Sequence, residues 1–299
     1  MKRLFYFLQA IFLLLFIVTF IPAILEFTGS SLLAKLNPSK PVYNNIESFN
    51  PSLQRLNSIK KLETYCDSIY EARNASGNFS QAEKDYPVIA SEVVREKFYH
   101  GLSSFGFGNN YLGYLMNPRF AGMALNAPVL PGDIVKYPYG ICSQQAAVFM
   151  NIVKDKGYLA RKIGFYTPEI SGHFCTEVFY RDGWHFFDTD IEPDMQVLSQ
   201  YDHPGIKFLV DHPDIITKAY AKMDPVKVMA LFSTYTYGKP DERLAPKAAI
   251  YQKVTKFLSY TIWILFLLAF IMSRRKYLRL SNRQYVRNRR VSVHHLQPG

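Results

Sequence analysis

The chain has 299 residues, 48% of them hydrophobic and 15% aromatic, with three cysteines and a formal charge of +11. That composition excludes a disordered, collagen-like or low-complexity chain and a small disulfide scaffold. The charge would suit a nucleic-acid binder, but Lys2, Arg3 and the acid-free tail from Arg274 to Arg290 carry almost all of it. The body is nearly neutral, and no nucleic-acid partner is expected.

Residues 4–25 are apolar except for Gln9 and Thr19. At 1.5 Å per residue the run extends about 33 Å, enough to cross a hydrocarbon core of roughly 30 Å. It exceeds the 7–15 apolar residues usual in a cleaved signal peptide, so an uncleaved anchor is expected over 1–26. Residues 27–51, broken by Pro38, Pro41 and Pro51, read as a juxtamembrane linker. Leu53, Leu56, Ile59, Leu62, Cys66 and Ile69 recur at helical spacing, which predicts an amphipathic helix over 52–73. A loop over 74–80, a second helix over 87–99 and an irregular stretch over 116–133 follow. SSFGFGNN at 103–110 fails the dinucleotide fingerprint, because Tyr111 stands where a glycine is needed.

CSQQAAVFMNIVKDKG predicts a helix of about four turns, with Cys142 at its start and Gly157 just past its end. Strand-like runs cover 161–167, 173–180 and 184–189, the last two joined by Arg181-Asp182-Gly183 as a hairpin. Helical character returns over 206–234, with Pro225 at a first helical position. The fold class is α+β, with one domain over 52–250. A second apolar run, 257–272, predicts a membrane helix over 253–273, followed by a basic tail at 274–299. The positive-inside rule puts both termini in the cytoplasm and the central domain outside it, in the periplasm if the cell is Gram-negative.

The candidate chemistry lies in Cys142, His173 and Asp188. A nucleophilic cysteine needs thiolate near neutral pH, and a helix N-terminus or an imidazolium favours it over the free thiol of pKa about 8.5. His173 can take the thiol proton and return it to a leaving amine, and Asp188 can orient the imidazole. A two-residue Asp182-Gly183 turn, however, puts Asp188 opposite Glu177, about 13 Å from His173 at strand rise. The spacing alone does not assemble the three. Gln144 and Tyr139 are the candidates for a second oxyanion donor beside the Cys142 backbone N–H. A zinc site on Cys142, His173 and Asp188 has suitable donors but lacks a fourth ligand, and no metal or cofactor is expected. Cys66 and Cys175 are either a disulfide or two free buried thiols. His100, His203 and His212 read as surface or capping residues, and His185 as an ordinary strand residue.

YGICSQQAAVFMNIVKDKGYLARKIGFY and SGHFCTEVFYRDGWHFFDTD resemble the transglutaminase-like (papain-like thiol) superfamily over about residues 132–192. The matching points are Gly140-x-Cys142, Ala146, Gly157, Ala160-Arg161, His173, Glu177-Val178, Trp184 and Asp188. The resemblance implies Cys142 as nucleophile, His173 as base and Asp188 as orienting acid, with Arg161, Glu177 and Trp184 supporting the fold. The chain departs from animal transglutaminases in having no tryptophan upstream of the cysteine, since Trp184 and Trp263 both follow it. Two functions are therefore carried forward. One is a membrane-tethered thiol peptidase, amidase or acyltransferase acting on a peptide or protein substrate. The other is a non-catalytic module binding envelope proteins.

Overall fold

The computed structural model describes residues 2–28, 39–116, 125–166 and 172–294. The expected irregular stretch 116–133 and linker 27–51 lie partly outside them. The described residues form an α+β protein that divides into two units.

The first unit joins the two ends of the chain to Phe105–Asn126. Helix α1 (Lys2–Thr28) and the apolar part of the long C-terminal helix, Pro246–His294, are each long and apolar enough to cross a membrane, with mean hydropathy of 2.6 and 1.9. Only 17% and 11% of their most apolar windows is buried, which separates them from core helices. Trp263 packs edge-on against Phe16 and Phe20 at 6.2 and 5.1 Å, which brings the two helices together. Asn110 donates through its backbone N–H to Glu26 and through its amide to Thr255 Oγ1. The Leu112 N–H reaches Ser259 Oγ. This short connection therefore groups with the terminal helices, whereas the sequence placed it inside the 52–250 domain.

The second unit comprises Ser39–Ser104 and Ala127–Ala249. A 3-10 turn at Pro51–Arg55 precedes α2 (Ile59–Ala75), capped by the Ser58 hydroxyl, so the expected 52–73 helix is broken near its start. The short α3 (Gln81–Lys84), then α4 (Tyr86–Lys97) and β1 (Tyr99–His100) follow. Of the expected linker, Ser39–Asn50 packs onto this unit: the Tyr99 hydroxyl donates to the Pro41 carbonyl, and the Asn50 N–H to the Glu96 carbonyl.

After α5 (Tyr111–Met116, in the first unit) and α6 (Pro131–Ile134), β2 (Tyr139–Gly140) pairs in parallel with β1. Helix α7 (Cys142–Asp155) comes next and ends as expected, with Gly157 at φ +87°. The main sheet has the order β5-β4-β3-β6, all antiparallel, from β3 (Leu159–Phe165), β4 (His173–Tyr180), β5 (Gly183–Phe187) and β6 (Thr236–Tyr237).

Side-chain alternation divides the core at this sheet. Ala160, Val178 and Phe187 face a cluster formed with Val148, Phe149 and Ile152 of α7 and with residues of α2 and α4. Ile163, Phe165, Cys175 and Phe186 face a second cluster beneath α8 (Met195–Ser199), α9 (Ile206–Asp211), α10 (Pro213–Ala219) and α11 (Pro225–Phe232). Pro225 occupies the first turn of α11, as its missing N–H allows. Cys66 and Cys175 are free and buried, one in each cluster, so the disulfide alternative is set aside.

Candidate active site

Cys142 is the first residue of α7 and is half-buried. As an N-terminal helical residue it has no carbonyl one turn back to accept its N–H. Gln144 holds this helix start. Its Oε1 accepts the N–H groups of Ile141 and Ser103, and its Nε2 donates to the Ser103 and Pro128 carbonyls. These bonds commit the amide to structure and remove Gln144 as an oxyanion donor. Tyr139 is buried, with its ring against Tyr99 and Tyr137, and it does not join the described wall of the cavity above Cys142.

His173 opens β4, and its ring stacks on Phe165, its register partner on β3. Nε2 of His173 lies 2.8 Å from Oδ2 of Asp188. The same oxygen accepts the Tyr220 hydroxyl at 3.0 Å, while Oδ1 accepts the backbone N–H groups of Asp190 and Ile191 at 3.1 Å each. Complete burial works against the Asp188 charge, but the His173 cation and these hydrogen bonds prevail and hold its pKa down at about 2. The balance also runs the other way for His173. Burial disfavours its cation, yet Asp188 outweighs that and raises the imidazole well above its ordinary value.

The hairpin register explains how the pair forms. Tyr180 pairs with Gly183 and Thr176 with Phe187, so the turn is Arg181-Asp182 and not Asp182-Gly183. Both turn residues have positive φ, +46° and +61°, the requirement of a type I′ turn. Relative to the sequence expectation, Asp188 slides two residues along β4, from opposite Glu177 to opposite Cys175. That makes it a diagonal neighbour of His173 on the same face.

Cys142 Sγ, a ring nitrogen of His173 and a carboxylate oxygen of Asp190 all lie within 4.8 Å of one another. With Nε2 of His173 directed at Asp188, Nδ1 is the nitrogen left for the thiol. The three residues singled out in the sequence are thus brought together in the order Cys142, His173, Asp188.

Two further residues join them: Asp190, for which the sequence reading held no expectation, and His100, which is 55% exposed as a surface residue should be but also reaches the site. Asp190 accepts from His100 Nδ1 at 2.9 Å and from Gln145 Nε2 at 2.9 Å. His100, read from sequence as a surface or capping residue, lines the cavity beside Cys142, His173 and Asp190. The hydrogen bond to Asp190 raises the His100 pKa, while burial raises that of Asp190. Ninety residues separate the two, and only the Asp188-x-Asp190 spacing hinted at either. Glu47, from the expected linker, accepts the His100 backbone N–H at 2.8 Å and also lines the cavity, which has a volume of about 350 Å³.

The supporting residues form a cluster of their own. The Arg161 guanidinium pairs with Glu177 at 2.6 Å and lies over the rings of Trp184 and Tyr237, at 4.1 and 3.8 Å. Glu177 Oε1 accepts the Ile206 N–H at 2.7 Å, tying α9 to the sheet. His185 is buried between backbone carbonyls, and His212 stacks on Phe208 away from the site.

Comparison with protein-family models, with curated proteins and with solved structures gives no match.

Proposed function

We propose that the protein is a membrane-tethered thiol enzyme of transglutaminase-like type, acting on amide or peptide bonds through Cys142, His173 and Asp188. The observation that carries this reading is a half-buried thiol at a helix N-terminus, beside an imidazole whose far nitrogen is fixed 2.8 Å from a buried carboxylate. In the proposed reaction the Cys142 proton passes to His173 Nδ1 and the sulfur attacks the carbonyl carbon. The Cys142 backbone N–H faces the developing oxyanion. His173 then gives the proton to the leaving amine, leaving a thioester on Cys142. Water, deprotonated by His173, resolves it in a peptidase or amidase, and a second amine does so in an acyltransferase. Asp188 keeps the ring oriented and stabilises its cation throughout.

Two apolar terminal helices and a basic flank directly after the second support a two-pass protein with both termini cytoplasmic and the catalytic unit on the other side of the membrane. A peptide or protein of the cell envelope is the substrate class that fits this placement.

The test is the rate of Cys142 alkylation by iodoacetamide at pH 7 in the full chain in detergent, read by peptide mass spectrometry. Cys66 and Cys175 serve as buried internal controls. His173→Ala is expected to slow Cys142 at least about tenfold, in keeping with loss of a positioned base. Equal rates in the two proteins would overturn the enzyme reading and favour the non-catalytic envelope module.

A further inference from the structure

Asp190 is an acidic side chain beside Cys142 and His173 that acyl chemistry does not use. It puts a second negative group within 4.8 Å of both the nucleophilic sulfur and the imidazole. Its side chain is buried, and hydrogen bonds with His100 and Gln145 steady it. A carboxylate has about four lone-pair sites, so these donors leave it capacity toward the thiol. The arrangement is a thiolate, an imidazole and a carboxylate converging on one point.

We propose that Cys142 Sγ, His173 Nδ1 and the Asp190 carboxylate bind one divalent ion of zinc type, which reversibly masks the thiol. All three are ordinary zinc donors. Ligands at 2.0–2.3 Å from a shared ion stand about 3–4 Å apart, which the observed cluster allows. The outer contacts also suit a metal. Asp188 holds the far nitrogen of His173, fixing the ring and leaving Nδ1 as ligand, and His100 and Gln145 hold Asp190. The fourth position faces the cavity of about 350 Å³, open to water or to a further ligand. Binding displaces the protons held by the thiol and the imidazole: the S–H bond and, where His173 is cationic, its Nδ1–H bond break, the S–metal and N–metal bonds form, and each displaced proton leaves to solvent. Asp188, the carboxylate considered with Cys142 and His173 from sequence, belongs to the outer shell of this site, and Asp190 takes its place.

The proposal needs only the three ligands and does not rest on acyl transfer. The experiment uses the full chain in detergent, stripped with EDTA and titrated with zinc sulfate alone or cobalt sulfate alone. One zinc per chain is expected to slow Cys142 alkylation at least about tenfold, with EDTA restoring it. Cobalt is expected to give a sulfur-to-metal charge-transfer band that Cys142→Ser abolishes. Asp190→Asn should raise the zinc concentration needed for protection by about tenfold or more, with Cys66 remaining unreactive as the sign of an intact fold. Absence of the cobalt band, or alkylation untouched by zinc, overturns the site. Wild-type protection in Asp190→Asn overturns the role of Asp190. Failure of the thiol-enzyme reading shows separately, as equal alkylation of metal-free wild type and His173→Ala.

Discussion

The second unit contains two histidine–aspartate pairs whose acids are only two residues apart, and the pairs differ in depth. His173–Asp188 is sealed, with side chains 6% and 0% exposed, whereas His100–Asp190 joins a buried acid to a histidine that is 55% exposed. The sealed acid has hydrogen-bond partners at both oxygens and stays ionised far below the usual carboxylate range. The outer acid has less compensation for its burial, and its pKa rises. Burial costs both acids; the buried His173 cation and the backbone donors offset it at Asp188, whereas at Asp190 the neighbouring Asp188 charge adds to it. A fixed orienting carboxylate and a carboxylate available to a ligand are different objects, and positions two residues apart in the chain provide both.

The sharpest way to break this comparison is to delete each acid in turn. Asp188→Ala leaves the His173 imidazolium and the Tyr220 hydroxyl buried without their shared acceptor. Removing one partner of a buried pair costs about 3–5 kcal/mol, and that loss is expected here, read from thermal or urea unfolding followed by tryptophan fluorescence. Asp190→Ala should cost less, about 1–3 kcal/mol, because His100 can turn its ring nitrogen to water. Equal losses would show that depth does not separate the pairs.

Acid titration sharpens the contrast through opposite signs. The Asp188 pKa is lowered on folding from 3.8 to about 2, so its stabilisation is complete above about pH 4 and is lost as pH falls toward 2. The raised pKa of His173 adds stability that is fully present below about 6.5 and is lost as pH rises through its higher folded value. Asp190 and His100 are both raised, so both favour the folded state on the acid side and contribute less as pH rises through their windows. Asp188→Asn should therefore flatten the loss of stability between pH 4 and 2. Asp190→Asn should act mainly above about pH 4, where it removes the fall in stability that the raised Asp190 pKa imposes as pH rises. Melting temperatures across pH 2–7 read both; the same slope change in the two variants would contradict the assignment.

The legibility of the site follows the range of the contacts that build it. Helix α7 with Cys142 at its first position, its glycine stop and the antiparallel strands were readable because each rests on local pattern. The His173–Asp188 contact was not derivable from the strands, because the register depends on Arg181 adopting positive φ. Its side chain is tied to Asp85 at 2.8 Å and to Asp202 at 3.0 Å, distant in sequence, and a local rule favours Asp-Gly instead. The part His100 and Asp190 take in the site was missed for the same reason, the two being joined across ninety residues. The Phe105–Asn126 segment escaped because its partners, Glu26, Thr255 and Ser259, lie at opposite ends of the chain.

That dependence on the turn yields the smallest expected effect. Asp182 is exposed and sits at φ +61°, a conformation glycine adopts without a Cβ penalty. Asp182→Gly keeps Arg181 and its ion pairs, relieves the left-handed strain and recreates the Xaa-Gly sequence that type I′ turns prefer. A gain of up to about 1 kcal/mol in unfolding free energy is expected. Cys142 reactivity should be unchanged, because the register that carries Asp188 to His173 is retained. If the turn instead shifted by one residue to centre on Asp182-Gly183, Asp188 would return to its place opposite Glu177. The sealed pair would then be lost while His100–Asp190 remained, and Cys142 alkylation would fall to the His173→Ala level. The same substitution therefore separates a turn that merely tolerates strain from one whose exact centre assembles the deep pair.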